Sequence, residues 1–269
     1  MKRHYIFILT PRRYSRLIQM PYEIPVRTTL KEGRYYVKAE WVEAFLRPPR
    51  SPLLDRPYEP KVVDLRGGRK MVVRMATEKD IPLILDVLRD IINLKIDVDF
   101  FDLVAARTYA EVLAYLRKRI KDEWIMVGVL DDGTLAGQVN ARLWSDKVAI
   151  SLHTIVFKRR LGAGLPLYLA KMEYAFETLG VEEWWPTFES YYGFREFVLK
   201  LGTKMKPYPE YQHELGGATV FYNTREDWRN YIKPTWKHLL GSRPVPDDLL
   251  KVAENPVKPD VREEFADFL

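Results

Sequence analysis

Beyond position 70 the chain alternates segments of strand period with segments of helical period. Positions 71–75 predict a strand. Thr77, with Asp80 three residues later, marks the start of a helix that carries Ile81, Ile84, Leu85, Leu88 and Ile92 on its buried face. A second helix is predicted near 103–121, with Ala105, Tyr109, Val112, Leu116 and Ile120 sharing one side. Three strands follow, over 124–130, 135–144 and 148–157. They are joined by the turn residues Asp131-Asp132-Gly133-Thr134 and Ser145-Asp146-Lys147, and the middle one alternates Leu135, Gly137, Val139, Ala141 and Leu143 with more polar neighbours. The order is strand, two helices, then a three-strand meander.

The ends have a different texture. Strand-like runs at 5–9 and 34–37 and a short helix near 39–46 suit a small N-terminal unit. Five prolines between Pro48 and Pro60 predict an irregular linker there, because proline sustains neither a helix interior nor a central strand. Near the other end, Glu226 and Asp227 suit a helix start, Trp228, Tyr231, Ile232 and Leu239 its buried face, and Pro234 a bend. No repeat of 20 to 50 residues is visible.

Composition narrows the chemistry. With 47% apolar residues among 269, the chain can bury a substantial core, which excludes disordered and collagen-like classes. No apolar window approaches the ~20 residues of a membrane span, and the run at 5–9 is too short for a signal peptide, so a soluble, cytoplasmic protein without membrane partners is expected. The absence of cysteine removes disulfides, thiolate metal sites and cysteine nucleophiles, and His4, His153, His213 and His238 show no ligand spacing, so no metal site is expected. Five Asn and three Gln beside 30% charged residues fit a thermophilic source. The net charge of +6 is uneven: residues 1–70 hold 16 basic against 7 acidic side chains, and the remainder 27 against 30. Aromatics interleaved in the basic stretch (Tyr5, Phe7, Tyr14, Tyr22, Tyr35, Tyr36, Trp41) are compatible with nucleic-acid binding, or with packing on the main domain.

One segment carries a chemical signature. Past the strand ending near Phe157 stands Arg159-Arg160-Leu161-Gly162-Ala163-Gly164, an RxxGxG, followed by a helix with Leu165, Leu169, Met172, Phe176 and Leu179 at steps of three and four. Pro166 suits the helix's first turn and Gly180 its C-cap. Glycines at a strand-to-helix junction let a bulky anion approach unpaired amides at the positive end of the helix dipole. A pyrophosphate is the natural guest, with Lys158, Arg159 and Arg160 adding charge for further phosphates.

These features resemble the GNAT superfamily of acyl-CoA-dependent N-acyltransferases, whose cofactor loop is Q/RxxGxG/A between a central strand and the next helix. VVRMATEKDIPLIL looks like that family's first strand and helix, WIMVGVLDDGTLAGQV like its second and third strands, and FREFVLKLGTKM like its late helix. The resemblance implies an α/β fold of α+β type: a mixed, mostly antiparallel sheet with two parallel central strands, near 148–157 and 183–189, that splay around a pantetheine arm. It implies a GNAT-like domain over 71–223, which leaves the basic stretch over 1–70 and a helical segment over 224–269 as extensions. Pro186 suits such a splay, and equally a bulge or strand end.

By the same resemblance, the backbone of Val156 and Phe157 would hold the pantetheine and polarise the thioester, and the amides of Arg160, Leu161, Gly162, Ala163 and Gly164, with Arg159, would hold the pyrophosphate of acetyl-CoA. An amine-bearing acceptor, small molecule or protein, would receive the acetyl group by direct attack. The family's late-helix tyrosine falls near Val198 here, leaving Tyr191 and Tyr192 as substitutes that also suit packing. For the base that takes the amine's proton, Glu189 and His153 are the candidates. Gln138, Asn140 and Arg142 share one strand face, which either lines the acceptor cleft or meets solvent. A non-catalytic CoA- or nucleic-acid-binding protein and a longer acyl donor are the alternatives, and an oligomer is compatible with the C-terminal tail.

Overall fold

The computed structural model describes residues 50–120, 122–188, 190–206 and 221–269, together with the backbone of 27–29 and 34–36. Two compact units divide between Pro49 and Arg50. In the first, β1 (Arg27–Thr29) and β2 (Arg34–Tyr36) pair antiparallel, Arg27 opposite Tyr36. The other predicted elements of that unit, and most of its basic and aromatic residues, lie outside the described residues.

The second unit is built on eight described strands in the order β3-β4-β5-β6-β7-β8-β10-β9. It starts before position 70. β3 (Lys61–Asp64) pairs antiparallel with β4 (Lys70–Met75), and Leu54 and Tyr58 of the proline-rich stretch are buried in the core. Arg50–Lys70 thus contributes an edge strand and apolar anchors to this unit. Helices α1 (Asp80–Asn93) and α2 (Phe101–Leu116) follow β4 and pack on one face of the sheet. Asp80 closes the start of α1 by accepting from the Thr77 N–H and hydroxyl and clamping Arg74 through both carboxylate oxygens.

The meander β5 (Glu123–Leu130), β6 (Leu135–Ser145) and β7 (Val148–Val156) is antiparallel, and β7 then pairs parallel with β8 (Glu183–Pro186). Between β7 and β8 the chain crosses the opposite face as α3 (Gly164–Glu173), which continues in a wider turn over Tyr174–Leu179 and ends at Gly180 in the left-handed region. A short helix α4 (Tyr191–Gly193) continues over Phe194–Leu199. β9 (Lys204–Met205) and β10 (Phe221–Thr224) complete the sheet. In the segment after β10, Trp228 and Ile232 are buried as predicted, whereas Tyr231 is exposed.

Two apolar layers sandwich the sheet. Trp124, Met126, Leu167, Tyr174 and Trp184 pack between sheet and α3, while Ile84, Leu88, Ile91, Val127 and Ile155 pack beneath α1 and α2. The seat of α3 depends on two cross-strand glycines, Gly128 and Gly137. A Cβ on Gly137 would lie 2.6 Å from the Ile155 carbonyl oxygen and 3.1 Å from the Leu167 Cδ1. Bare backbone at this point lets Leu167 sink into the sheet, which fixes the start of α3 beside the end of β7. Gly137→Ala is expected to cost about 1–3 kcal/mol in urea unfolding, since the nearest opposing atom, the Ile155 carbonyl oxygen, is backbone and cannot move aside.

Candidate active site

The ladder between β7 and β8 stops at Ser151 opposite Pro186, while β7 runs on to Val156. Proline here ends the pairing. Beyond it the two strands part around a cavity of about 70 Å³, walled by Ser151, His153 and Thr154 on one side and Thr187, Phe188 and Ser190 on the other. Tyr168 of α3 closes one end; it stacks on Phe197 at 4.4 Å and its hydroxyl accepts from the Trp184 indole N–H at 3.0 Å. Burial pushes the Tyr168 phenol up, so it stays protonated.

A bulge aims His153. Val139 faces Thr154 and Ala141 faces Ser151, so two residues of β7, Leu152 and His153, oppose the single Asn140 of β6. The Asn140 Oδ1 accepts from the His153 backbone N–H at 2.9 Å, and its Nδ2 donates to Glu111 Oε2 at 2.7 Å and to Glu123 Oε1 at 2.9 Å. The imidazole Nδ1 lies 2.8 Å from the same Glu111 Oε2. From the α3 side, the fully buried Lys171 donates to the carbonyls of His153 and Asn140, and burial holds its pKa well below the usual lysine range. Burial, and secondarily the charge of Glu111, pushes the Glu123 carboxyl well above its ordinary range.

Glu111 escapes a sequence reading that scores only apolar positions. On α2 the inward positions are Ala105, Thr108, Glu111 and Val112, whereas Leu116 is exposed. A carboxylate at helical spacing on a buried face is the signal that marks it. Gln138, Asn140 and Arg142 do share a face, and all three are buried rather than solvent-facing. Gln138, 0% exposed, has no side-chain partner among the described residues.

At the end of β7 the chain enters the glycine loop. The amides of Phe157 and Lys158 both donate to the Ala136 carbonyl, at 2.7 and 3.0 Å, so the Phe157 N–H is committed to the sheet. The Arg159 N–H donates to Glu264 Oε2 at 2.8 Å. No amide of Arg160, Leu161, Gly162, Ala163 or Gly164 has an acceptor among the described residues. These five sit at the N-terminus of α3, where the helix dipole adds positive potential. Gly162 has φ +79°, a conformation L side chains adopt at a cost, whereas a Cβ on Gly164 would make an ordinary 3.4 Å contact with Val156. The loop's requirement for glycine therefore rests on the first of the two.

The C-terminal segment braces this loop. On α5 (Val261–Glu264), Glu264 also pairs with Lys158. The following turn brings Asp267 to Arg160 and sets the Arg159 guanidinium over Phe265 and Phe268, at 5.0 and 4.2 Å from the ring centroids. The basic triplet is thus partly engaged by the protein itself, and of these pairs only Arg160–Asp267 is well exposed on both sides. Arg66 is a further cation beside the loop. Its backbone N–H donates to the Leu161 carbonyl, and its Nε lies 3.6 Å from a Cβ position on Gly162.

Of the residues expected from sequence, the structure brings His153 to the cavity, and it places Val156 at the end of β7, past the last pair with β8 and opposite Gly137 of β6. Tyr192 is 58% exposed, outside the cavity wall, with Arg195 over its ring and its N–H held by Asp99. Glu189 lies outside the described residues. Among the described residues, no group of three or more His, Asp or Glu side chains could hold a metal ion, and no helix is long and apolar enough to cross a membrane.

No known family profile and no curated protein matches the chain. Solved structures do resemble it. A nucleotide-linked sugar GNAT, FdhC, is 16% identical over 69% of this chain and 99% of its own, with a TM-score of 0.49. Mycobacterium smegmatis RimJ in complex with CoA-disulfide is 16% identical over 64% and 89%, with a TM-score of 0.44. The Campylobacter jejuni N-acetyltransferase PseH is 14% identical over 57% and 97%, with a TM-score of 0.39.

Proposed function

We propose that the chain is an acyl-CoA-dependent N-acetyltransferase that transfers the acetyl group of acetyl-CoA directly to a primary amine. One observation carries this reading: five consecutive amides without an acceptor among the described residues, leading into α3, follow the very strand that leaves its neighbour and opens a cavity holding a histidine. The amides suit a diphosphate, with Arg66 and Arg160 as nearby charge. The gap between β7 and β8 suits an extended arm. The small cavity suits a short acyl group such as acetyl rather than a long chain.

Acetyl-CoA supplies an acyl carbon bonded to a thiolate leaving group. In the proposed reaction the N–C bond forms, the C–S bond breaks, and the proton lost by the amine passes to His153, which returns it to the departing sulfur. His153 is the base in this reading because it lines the cavity.

The test is a CoA titration by calorimetry, together with thiol release from acetyl-CoA in the presence of spermidine, a lysine peptide or an amino sugar. Saturable CoA binding and amine-dependent thiol release are expected. His153→Gln should lower kcat by roughly 10²–10⁴-fold with CoA affinity unchanged, the usual worth of a general base. Absence of CoA binding would overturn the assignment.

A further inference from the structure

The imidazole of His153 is buried and anchored at both its backbone and its ring. It is 7% exposed and its Nδ1 meets the 6%-exposed Glu111 at 2.8 Å. The same carboxylate oxygen accepts from Asn140 Nδ2, and the orientation of that amide is unambiguous: its Oδ1 receives a backbone N–H, which can only donate. With Glu111 ionised, its Oε2 is an acceptor toward both neighbours, which places the proton on Nδ1.

We propose that Glu111, carried by α2, is the positioning residue of the site: it fixes His153 as the Nδ1–H tautomer, so that Nε2 is the basic atom of the ring, and it stabilises the imidazolium once the amine's proton has moved to Nε2. Asn140 is the shared clasp that keeps carboxylate, ring and bulge in register. The inference rests on the acyl-transfer reading for its catalytic meaning, though the pairing itself does not. Among the described residues, the other titratable or charged groups about the pair include Glu123 of β5, Arg142 of β6, and Lys171 and Tyr168 of α3. A carboxylate that orients an imidazole and stabilises its charged form without taking the proton has direct precedent in hydrolytic triads.

Nitrogen-15 NMR of the full-length protein labelled at histidine tests this without any ligand. There are four histidines, so His153→Gln identifies the signal. The wild type is expected to show the neutral ring as Nδ1–H. Glu111→Gln should lose that fixed tautomer and lower the titration midpoint of His153 by about one pH unit or more, since an adjacent opposite charge favours the protonated ring. The kcat for amine-dependent thiol release should fall roughly 10- to 100-fold, part of what a general base contributes, with KM for acetyl-CoA unchanged, and Glu111→Asp should recover some of it. An Nε2–H ring, or a midpoint and kcat unmoved in Glu111→Gln, overturns the proposal. Should Glu111→Gln fail to fold, the wild-type tautomer and the titration of Glu111→Asp decide. Failure of CoA binding in the wild type with the tautomer as expected would sink the transferase reading while leaving the pair intact.

Discussion

Gly162→Glu is expected to weaken CoA binding by about 100-fold or more, equivalent to about 2.7 kcal/mol, while leaving the fold in place. Three effects add. A side chain at φ +79° strains the loop by about 1–2 kcal/mol. The new carboxylate stands among the amides that would receive the diphosphate, repelling it. It also reaches Arg66, whose Nε is 3.6 Å from the Cβ position, and withdraws that cation from the ligand. The nearest atoms to that Cβ belong to this flexible arginine, so the substitution finds room and the thermal midpoint should fall only by what the strain costs, roughly 2–8 °C. Gly162→Ala isolates the strain and should cost roughly tenfold at most, about 1.4 kcal/mol. Calorimetric titration of CoA against the three proteins gives the ranking. Equal affinity of Gly162→Glu and wild type would remove the diphosphate from this loop and the transferase with it.

The largest effect on stability is expected at Glu173, the last residue of α3. Its carboxylate accepts from Tyr58 at 2.9 Å, Lys61 at 2.8 Å and Arg243 at 3.1 and 3.2 Å, joining the helix to β3, to the proline-rich stretch and to the C-terminal region. Glu173→Ala leaves Lys61, which is 0% exposed, as a buried amine without its counter-charge. Breaking one side of a buried pair typically costs about 3–5 kcal/mol. For a unit of this size, that corresponds to roughly 6–20 °C in Tm.

The pH dependence has a definite sign. Burial alone would raise the Glu173 carboxyl, but Arg243 and Lys61 outweigh it and hold the pKa below the ordinary glutamate value of 4.5. A carboxyl whose pKa is lower folded than unfolded stabilises fully above the unfolded value and loses its contribution as pH falls through the folded one. The gap between wild type and Glu173→Ala should therefore be widest near neutrality and narrow below about pH 4.5. Thermal unfolding across pH 3 to 7 reads this directly, and a gap that grows on acidification would contradict it.

Sequence alone determined the succession of elements from β4 to α3 and the loop between β7 and α3. Strand and helix periods depend on near neighbours, and turn glycines and prolines impose their own dihedrals. It also singled out His153, though only as one member of a pair of candidate bases. Tertiary structure decided the rest, because each remaining feature joins residues distant in the chain. Glu111 stands 42 positions from His153, and Glu264 reaches Arg159 across 105. The bulge that sets two residues of β7 against Asn140 is a matter of register between strands, which neither strand's own alternation encodes. Buried polar chemistry escapes a pattern of apolar positions for the same reason: an inward carboxylate is tolerated only where folding has already brought its partners to it.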